Sequence, residues 1–161
     1  MKTLLVVRHA KSDWADAGLA DHDRPLNDRG RRDAPVMGAR LAERGTVPDV
    51  IRSSTALRAQ TTAAMLAEAL GLDASTVQLD ESLYATGTSH QLEVIRAFDD
   101  AAAIAMLVGH NPESSALVSR LTGRYAELPT CAIAEIRLPI DRWADAAADT
   151  GELVRLDTPK R

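Results

Sequence analysis

Four side chains that could bind a phosphoryl group occur where predicted strands end or predicted helices begin. Arg8 and His9 directly follow the apolar run at residues 3–7, His110 follows a second apolar run, and Arg58 lies near the start of a predicted helix. Guanidinium groups match the oxygens of a phosphoryl group in bidentate geometry, and imidazoles supply further donors. Two guanidinium and two imidazole groups meeting in an acidic protein therefore predict an anion site, and phosphate is the anion that they fit best.

The elements that must position these residues follow from the hydrophobic pattern. Short β-rich runs alternate with stretches of helical periodicity, which predicts an α/β fold with a largely parallel sheet. We predict strands at residues 3–7, 49–52, 76–79, 104–108, 132–138 and 152–156, and helices at 28–44, 56–70, 89–98 and 112–121. Ligands of such sheets bind beyond the carboxyl ends of the strands, so the four side chains should meet there. We expect Asn27 to cap the first helix and Ser54 or Thr55 to cap the second.

Composition restricts the possible functions. The chain has 161 residues, which predicts one domain spanning 1–161, and a formal net charge of -4. An acidic protein lacks the basic footprint of a general nucleic-acid binder, and it should not adhere to anionic lipid. No apolar run approaches the roughly 20 residues of a membrane span. The single cysteine, Cys131, is expected to be a buried structural thiol, and its isolation fits a reducing cytoplasm.

Three motifs resemble those of a known family. The sequence around Arg8-His9-Ala10 resembles the Arg-His-Gly signature of the histidine phosphatase superfamily, which includes phosphoglycerate mutases. Ser54 to Thr61 resembles the second arginine motif of that family, and the sequence around His110 resembles its second histidine motif. Residues 23–30 and 130–134 are further similar to the short SixA-like phosphohistidine phosphatase branch.

The resemblance implies a fold and a mechanism. The fold would be a three-layer α/β/α sandwich of the phosphoglycerate mutase type. His9 would attack phosphorus in line and become a phosphohistidine that water then hydrolyses, so its other ring nitrogen should be held by an acceptor. Arg8, Arg58 and His110 would bind the phosphoryl oxygens and stabilise the developing charge. Neither a metal nor a cofactor is expected, because side chains supply the cations.

A proton donor for the leaving group is predicted less directly. Glu81 resembles the acid of the mutase branch, where a glutamate precedes a tyrosine by three positions. The alternative is a solvated loop carboxylate. Asp21 and Asp23, in the long loop after the first strand, are weaker candidates.

Departures from the mutase pattern bear on the substrate. The glycine after the Arg-His pair is replaced by Ala10, and an asparagine expected nearby is replaced by Ala15. Connections after the second and third strands are short, which predicts a shallow, open site. The expected activity is that of a SixA-like protein phosphohistidine phosphatase, whose partner would be a phosphorylated protein such as a histidine-phosphotransfer domain. The alternatives are a phosphatase of small phosphomonoesters and a phosphate-binding module without turnover.

The long loop leaves two further questions open. Trp14 either packs beneath the loop or lines the rim of the site. The carboxylate-rich stretch at residues 13–23 could suggest a metal site, but its spacing matches no common ligand pattern, so a solvated loop is expected.

Overall fold

The computed structural model describes residues 1–160, which form a six-stranded sheet with helices on both faces. The strands are β1 (Lys2–Arg8), β2 (Val50–Ser53), β3 (Val77–Leu79), β4 (Ile104–Gly109), β5 (Ile133–Leu138) and β6 (Glu152–Asp157). The helices are α1 (Asp28–Glu43), α2 (Leu57–Ala69), α3 (Thr88–Arg96) and α4 (Glu113–Thr122). All ten predicted elements are present, with boundaries within one or two residues of the predicted ones.

The strand order is β3-β2-β4-β1-β5-β6, and the sheet is parallel from β3 through β1. Strands β5 and β6 pair antiparallel at one side. This is the mostly parallel three-layer sandwich that the sequence predicts. Because β1 and β4 are adjacent and parallel, the residues that follow them emerge at the same edge of the sheet.

Alternation along the central strand builds two hydrophobic cores. On β1, Leu4 and Val6 face one layer of helices, while Leu5 and Val7 face the other. Helices α3 and α4 cover the first face, and α1 and α2 cover the second. Burying each such aliphatic side chain contributes about 1.5–3 kcal/mol, so the central strand is anchored on both sides. The segment that carries the site therefore starts from the most firmly packed part of the fold.

Helix capping confirms one prediction and corrects another. Asn27 caps α1, since its side chain accepts a hydrogen bond from the backbone nitrogen of Gly30 at 2.9 Å. The predicted cap of α2 by Ser54 or Thr55 is wrong: the N-cap residue is Ala56, without a side-chain cap. The Ser54 hydroxyl instead contacts His110, so the side chain that sequence reasoning gave to the helix belongs to the site.

The long loop between β1 and α1 is tied down at its base. Ser12 and Leu26 form an antiparallel bridge, and the backbone nitrogen of Asn27 donates to the carbonyl oxygen of Lys11 at 3.0 Å. Gly30 permits this approach, because a Cβ there would lie 2.3 Å from the Lys11 carbonyl oxygen. The loop is thus held against the start of α1, with its middle beside the carboxyl end of β1.

Within residues 1–160, no helix combines the length and the apolarity needed to cross a lipid bilayer.

Candidate active site

The four predicted side chains meet in one pocket. A cavity of about 260 Å³ lies at the carboxyl ends of β1 and β4. Its lining residues are Arg8, His9, Lys11, Ser12, Trp14, Asp21, Arg58, His110, Asn111 and Thr130. Cavities of about 480 and 710 Å³ occur elsewhere in the described chain, but neither is lined by a histidine. The convergence of charged and titratable groups, rather than size, makes the smaller cavity the candidate site.

His9 is held as a neutral imidazole with a defined tautomer. Its Nδ1 lies 2.7 Å from the carbonyl oxygen of Ala10, an acceptor, so Nδ1 carries the proton and Nε2 has a free electron pair. Burial, followed by the charges of His110 and Arg58, lowers the pKa of His9 to about 3 against the opposing effect of the Ala10 carbonyl. Thr62 fixes that carbonyl's residue, because its Oγ1 accepts from the Ala10 backbone nitrogen at 3.0 Å. The expectation that an acceptor holds the second ring nitrogen is met.

Arg58 lies in the first turn of α2 and points across the pocket. Its Nε donates to Nε2 of His9 at 3.4 Å. Its two terminal nitrogens donate to Asp21, one to the backbone carbonyl oxygen at 2.7 Å and the other to Oδ2 at 3.0 Å. This guanidinium is buried, so its orientation is set before any ligand arrives.

His110 stands beside His9, with ring centroids 5.2 Å apart. Its Nε2 lies 2.9 Å from Oγ of Ser54, which follows the neighbouring strand β2. Burial is the main cause that lowers the pKa of His110 to about 4, and the charge of Arg58 adds to it. Both imidazoles are therefore neutral near pH 7.

Arg8 lines the opposite side of the pocket. Its Nη1 donates to the carbonyl oxygen of Leu128 at 2.9 Å, and burial lowers its pKa, opposed by the charge of Glu127. The backbone nitrogen of Cys131 is shared between the carbonyl oxygens of Arg8 and His9, at 3.1 and 3.0 Å. The turn before β5 thus fastens the backbone of both residues.

Cys131 itself is fully buried, as the sequence predicts. Burial is the chief cause that raises the pKa of its thiol to about 12. The residue adopts a left-handed backbone conformation, with φ of 63°, which lets its nitrogen face the two carbonyl oxygens.

The carboxylates are arranged differently from the sequence ranking. Glu81 is exposed in a short 3₁₀ turn (Glu81–Leu83) after β3 and does not line the pocket. Asp21, ranked lower, does line it, and the hydroxyl of Tyr84 donates to its Oδ2 at 2.6 Å. That hydrogen bond, followed by the contact with Arg58, lowers the pKa of Asp21, while the same hydrogen bond raises the pKa of Tyr84. Asp23 faces solvent and pairs only with His22, at 3.8 Å.

Sequence reasoning missed Tyr84 as a site residue and did not pair Asp21 with Arg58. Tyr84 lines a small adjoining cavity of about 160 Å³ together with Asp21, Arg58 and His110. The one signal that could have found the pair was chemical, because a buried arginine needs a counter-charge and the long loop carries several carboxylates.

The remaining loop questions are answered by position. Trp14 lines the pocket from the rim, and its side chain is exposed. Among residues 1–160, no group of three or more His, Cys, Asp or Glu side chains could hold a metal ion.

The sheet order, the two helical layers and the position of the pocket define a protein of the phosphoglycerate mutase-like fold with an anion site at the strand ends. A sequence model of the histidine phosphatase superfamily (branch 1) matches residues 4–85. A curated relative, an uncharacterized protein of Mycobacterium tuberculosis strain H37Rv, is 34% identical over 96% of this chain and 100% of its own.

Two solved structures are similar over nearly the whole chain. One, from Agrobacterium tumefaciens and assigned as phosphohistidine phosphatase SixA, is 28% identical with a TM-score of 0.82, covering 98% of both chains. Another with the same assignment, from Nakamurella multipartitia, is 29% identical with a TM-score of 0.80, covering 99% of this chain and 97% of that one. The chain belongs to the histidine phosphatase superfamily, in its SixA-like branch, and it is a phosphatase.

Proposed function

We propose that this phosphatase removes phosphoryl groups from phosphohistidine on other proteins and uses His9 as its nucleophile. The observation that carries the proposal is the state of the His9 ring. Its Nδ1 is engaged by the Ala10 carbonyl at 2.7 Å, which leaves Nε2 unprotonated beside Arg58. A neutral imidazole with a free electron pair facing a cationic group can attack phosphorus at neutral pH.

The first half-reaction transfers the phosphoryl group to His9. Nε2 forms a bond to phosphorus while the bond to the substrate nitrogen breaks, and its electron pair stays on the departing imidazole. When the other nitrogen of that imidazole carries a proton, it leaves as a neutral molecule. The Ala10 carbonyl accepts the Nδ1 proton of the resulting phosphohistidine and stabilises its positive charge.

The second half-reaction hydrolyses this intermediate. Water attacks phosphorus, the bond to Nε2 breaks, and its electron pair returns to the ring, while the water proton passes to solvent or to the carboxylate of Asp21 at the pocket wall. Arg8, Arg58 and His110 bind the phosphoryl oxygens in both steps and offset the charge that develops on them. These roles correspond to those that the resemblance implies for the same four residues.

The choice of phosphohistidine over phosphate esters rests on the leaving group. An alkoxide leaves poorly without a general acid, whereas an imidazole leaves readily. Glu81 lies outside the pocket lining, and the contacts of Asp21 lower its pKa, so neither is placed as a strong acid donor in the resting site. The open site also admits a side chain from another protein, because only residues 54–56 connect β2 to α2 and residues 80–87 connect β3 to α3. The similarity to the two SixA structures points the same way.

The deciding experiment compares substrates. We expect kcat/KM to be higher for a histidine-phosphotransfer protein phosphorylated on histidine than for glucose 6-phosphate or 3-phosphoglycerate. The His9→Gln variant, assayed in parallel, supplies the background rate. A clear preference for the sugar phosphates would overturn the phosphohistidine assignment while leaving the phosphatase intact.

One observation favours a second candidate function, the hydrolysis of small phosphomonoesters. Asp21 and Tyr84 place a carboxyl group and a hydroxyl group against the pocket, 2.6 Å apart. A phosphoryl dianion bound beside Asp21 would raise the pKa of that carboxyl group and convert it into a proton donor for an alkoxide. The same comparison of substrates tests this candidate.

The cytoplasm is the compartment that we propose for this reaction, since the single thiol of the chain is buried and has no disulfide partner.

A further inference from the structure

A second cavity opens beside the phosphate pocket. This groove has a volume of about 310 Å³ and shares two of its lining residues with the pocket. It is lined by Trp14, Asp16, Ala17, Leu19, Asp21 and Arg24, and Trp14 and Asp21 are the shared ones. We call it the Trp14 groove. Because the two cavities share a wall, a ligand with its phosphoryl group in the pocket extends directly into the groove.

The groove presents apolar surface in a fixed position. The side chain of Trp14 is 69% exposed and that of Leu19 is 40% exposed. The indole stacks on the guanidinium of Arg24, which is only 5% exposed and donates to Oγ of Ser12 at 3.2 Å. An exposed aromatic ring held by a buried arginine loses little conformational entropy when it is covered, which is typical of a contact residue.

Charge separates the groove from the pocket. The pocket holds the cationic side chains of Arg8 and Arg58, whereas the groove adds the exposed carboxylate of Asp16 to that of Asp21. The single cation of the groove, Arg24, lies 3.6 Å from the Asp21 carboxylate. A ligand that fits both cavities therefore carries a phosphoryl group, an apolar group next to it, and positive rather than negative charge beyond.

A phosphorylated polypeptide meets these requirements better than a sugar phosphate does. A sugar phosphate is polar throughout and would leave the faces of Trp14 and Leu19 uncovered, whereas an apolar side chain of a peptide would bury them at a gain of about 25 cal/mol per Å². A second phosphate or carboxylate on the ligand would be repelled by Asp16.

We propose that the Trp14 groove binds the polypeptide segment that flanks the phosphohistidine of the substrate protein. An apolar side chain next to the phosphohistidine packs against Trp14 and Leu19, and a basic side chain pairs with Asp16. This inference rests on the proposed function and adds to it the local sequence that the phosphatase prefers.

The test uses two synthetic peptides and one small substrate. One peptide has leucine before and lysine after the phosphohistidine, the other has serine and glutamate in those places, and phosphoramidate serves as a substrate too small to reach the groove. We expect kcat/KM to be about tenfold higher for the leucine–lysine peptide, since an apolar anchor and one ion pair together contribute that much.

Two groove variants and a matched control complete the design. Trp14→Ala and Leu19→Ser should each lower the ratio of kcat/KM for the leucine–lysine peptide to that for phosphoramidate by about five- to tenfold. Tyr125→Ala removes a still more exposed aromatic ring that lines neither cavity and should leave that ratio unchanged. Leu19→Ser keeps the test decisive if Trp14→Ala does not fold, because Leu19 lines the groove alone.

The failures of the two proposals differ. Hydrolysis of both peptides at equal rates, with ratios unchanged in the variants, would overturn the groove and leave the phosphohistidine assignment standing. Hydrolysis of phosphoramidate and sugar phosphates but of neither peptide would overturn the proposed function itself. A preference for naphthyl phosphate over both peptides, lost in Leu19→Ser, would assign the groove to an apolar small molecule instead.

Discussion

Asp21 holds both terminal nitrogens of the Arg58 guanidinium, through its backbone carbonyl oxygen at 2.7 Å and its carboxylate at 3.0 Å. The carbonyl orients the guanidinium without adding net charge. The carboxylate, whose side chain is 51% exposed, also places a negative charge on the wall of a pocket that must receive a phosphoryl dianion. The pair therefore both organises the site and opposes its ligand.

This opposition predicts tighter product binding when the charge is removed. Asp21→Asn keeps an oxygen acceptor for Arg58 but removes the negative charge, so the Ki of inorganic phosphate should fall by about threefold, as expected for a partly solvated charge pair. Inhibition of para-nitrophenyl phosphate hydrolysis measures it. Asp23→Asn, on the same turn but facing solvent, is the control. An unchanged or higher Ki in Asp21→Asn would show that the carboxylate does not compete with phosphate.

The nucleophile assignment has a direct chemical test. His9→Gln should lower kcat for para-nitrophenyl phosphate by at least about 10³-fold, because a glutamine amide cannot form the covalent intermediate. Rapid quenching should trap acid-labile, base-stable phosphate on the wild type and none on the variant. The control is His90→Gln, which changes a histidine on α3 away from the pocket. Undiminished turnover in His9→Gln would remove His9 from the mechanism.

Glu81 remains the sequence-based candidate for a general acid, and a series of leaving groups tests it. A proton donor matters more as the leaving group becomes more basic, so loss of the true acid slows alkyl phosphates more than para-nitrophenyl phosphate. Because Glu81 is exposed and outside the pocket lining, we expect Glu81→Gln to alter both rates by the same factor. Selective loss of alkyl phosphate hydrolysis would restore Glu81 as the acid.

The depressed pKa of His110 predicts a component of acid sensitivity. Its pKa is about 4 in the folded chain, against an ordinary value of 6.5. Between these values the unfolded chain binds a proton that the folded chain does not, so the free energy of unfolding falls as the pH drops from 6.5 to 4. The loss attributable to this residue should be on the order of 2 kcal/mol.

The measurement is urea unfolding at pH 7 and pH 4.5 in phosphate-free buffer. His110→Asn removes the titrating group, so the variant should lose less stability between the two pH values than the wild type does. Some loss will remain, because the pKa of His9 is lowered as well. Equal losses in both proteins would contradict a depressed pKa at position 110.

Gly30 offers a test of how the long loop is anchored. A Cβ at Gly30 would lie 2.3 Å from the carbonyl oxygen of Lys11, a residue that lines the pocket. Gly30→Ala should therefore destabilise the fold by about 1–3 kcal/mol despite the better helix propensity of alanine, and it should raise KM. In Gly87→Ala the new methyl group meets nothing within 4 Å, so it serves as the control. Thermal unfolding and para-nitrophenyl phosphate kinetics measure both effects, and a stabilised Gly30→Ala would contradict the close approach.

The convergence of Arg8, His9 and His110 was predictable because strand ends carry them. Apolar runs mark the strands, parallel strands end at a common edge, and the polar residues that follow must lie there. The position of Arg58 followed from the same rule through the start of α2. Periodicity thus carries the information that places these four residues.

The contacts of Asp21 could not be predicted in this way. Its partners, Arg58 and Tyr84, are 37 and 63 positions away and belong to no shared element. Five carboxylates at residues 13–23 and 81 competed for the role, and only the path of the loop decides among them. The cap of α2 failed for a related reason, because the Ser54 hydroxyl has a tertiary partner in His110 that outweighs its local preference.

The buried thiol of Cys131 has a consequence for the conditions under which this phosphatase can work. Enzymes that attack phosphate with a thiolate are inactivated when peroxide oxidises that sulfur. Here the proposed nucleophile is an imidazole, and the chain's one sulfhydryl has a pKa of about 12 and lies wholly inside the protein. Phosphoryl removal by this protein should therefore persist through oxidative stress that silences thiolate phosphatases.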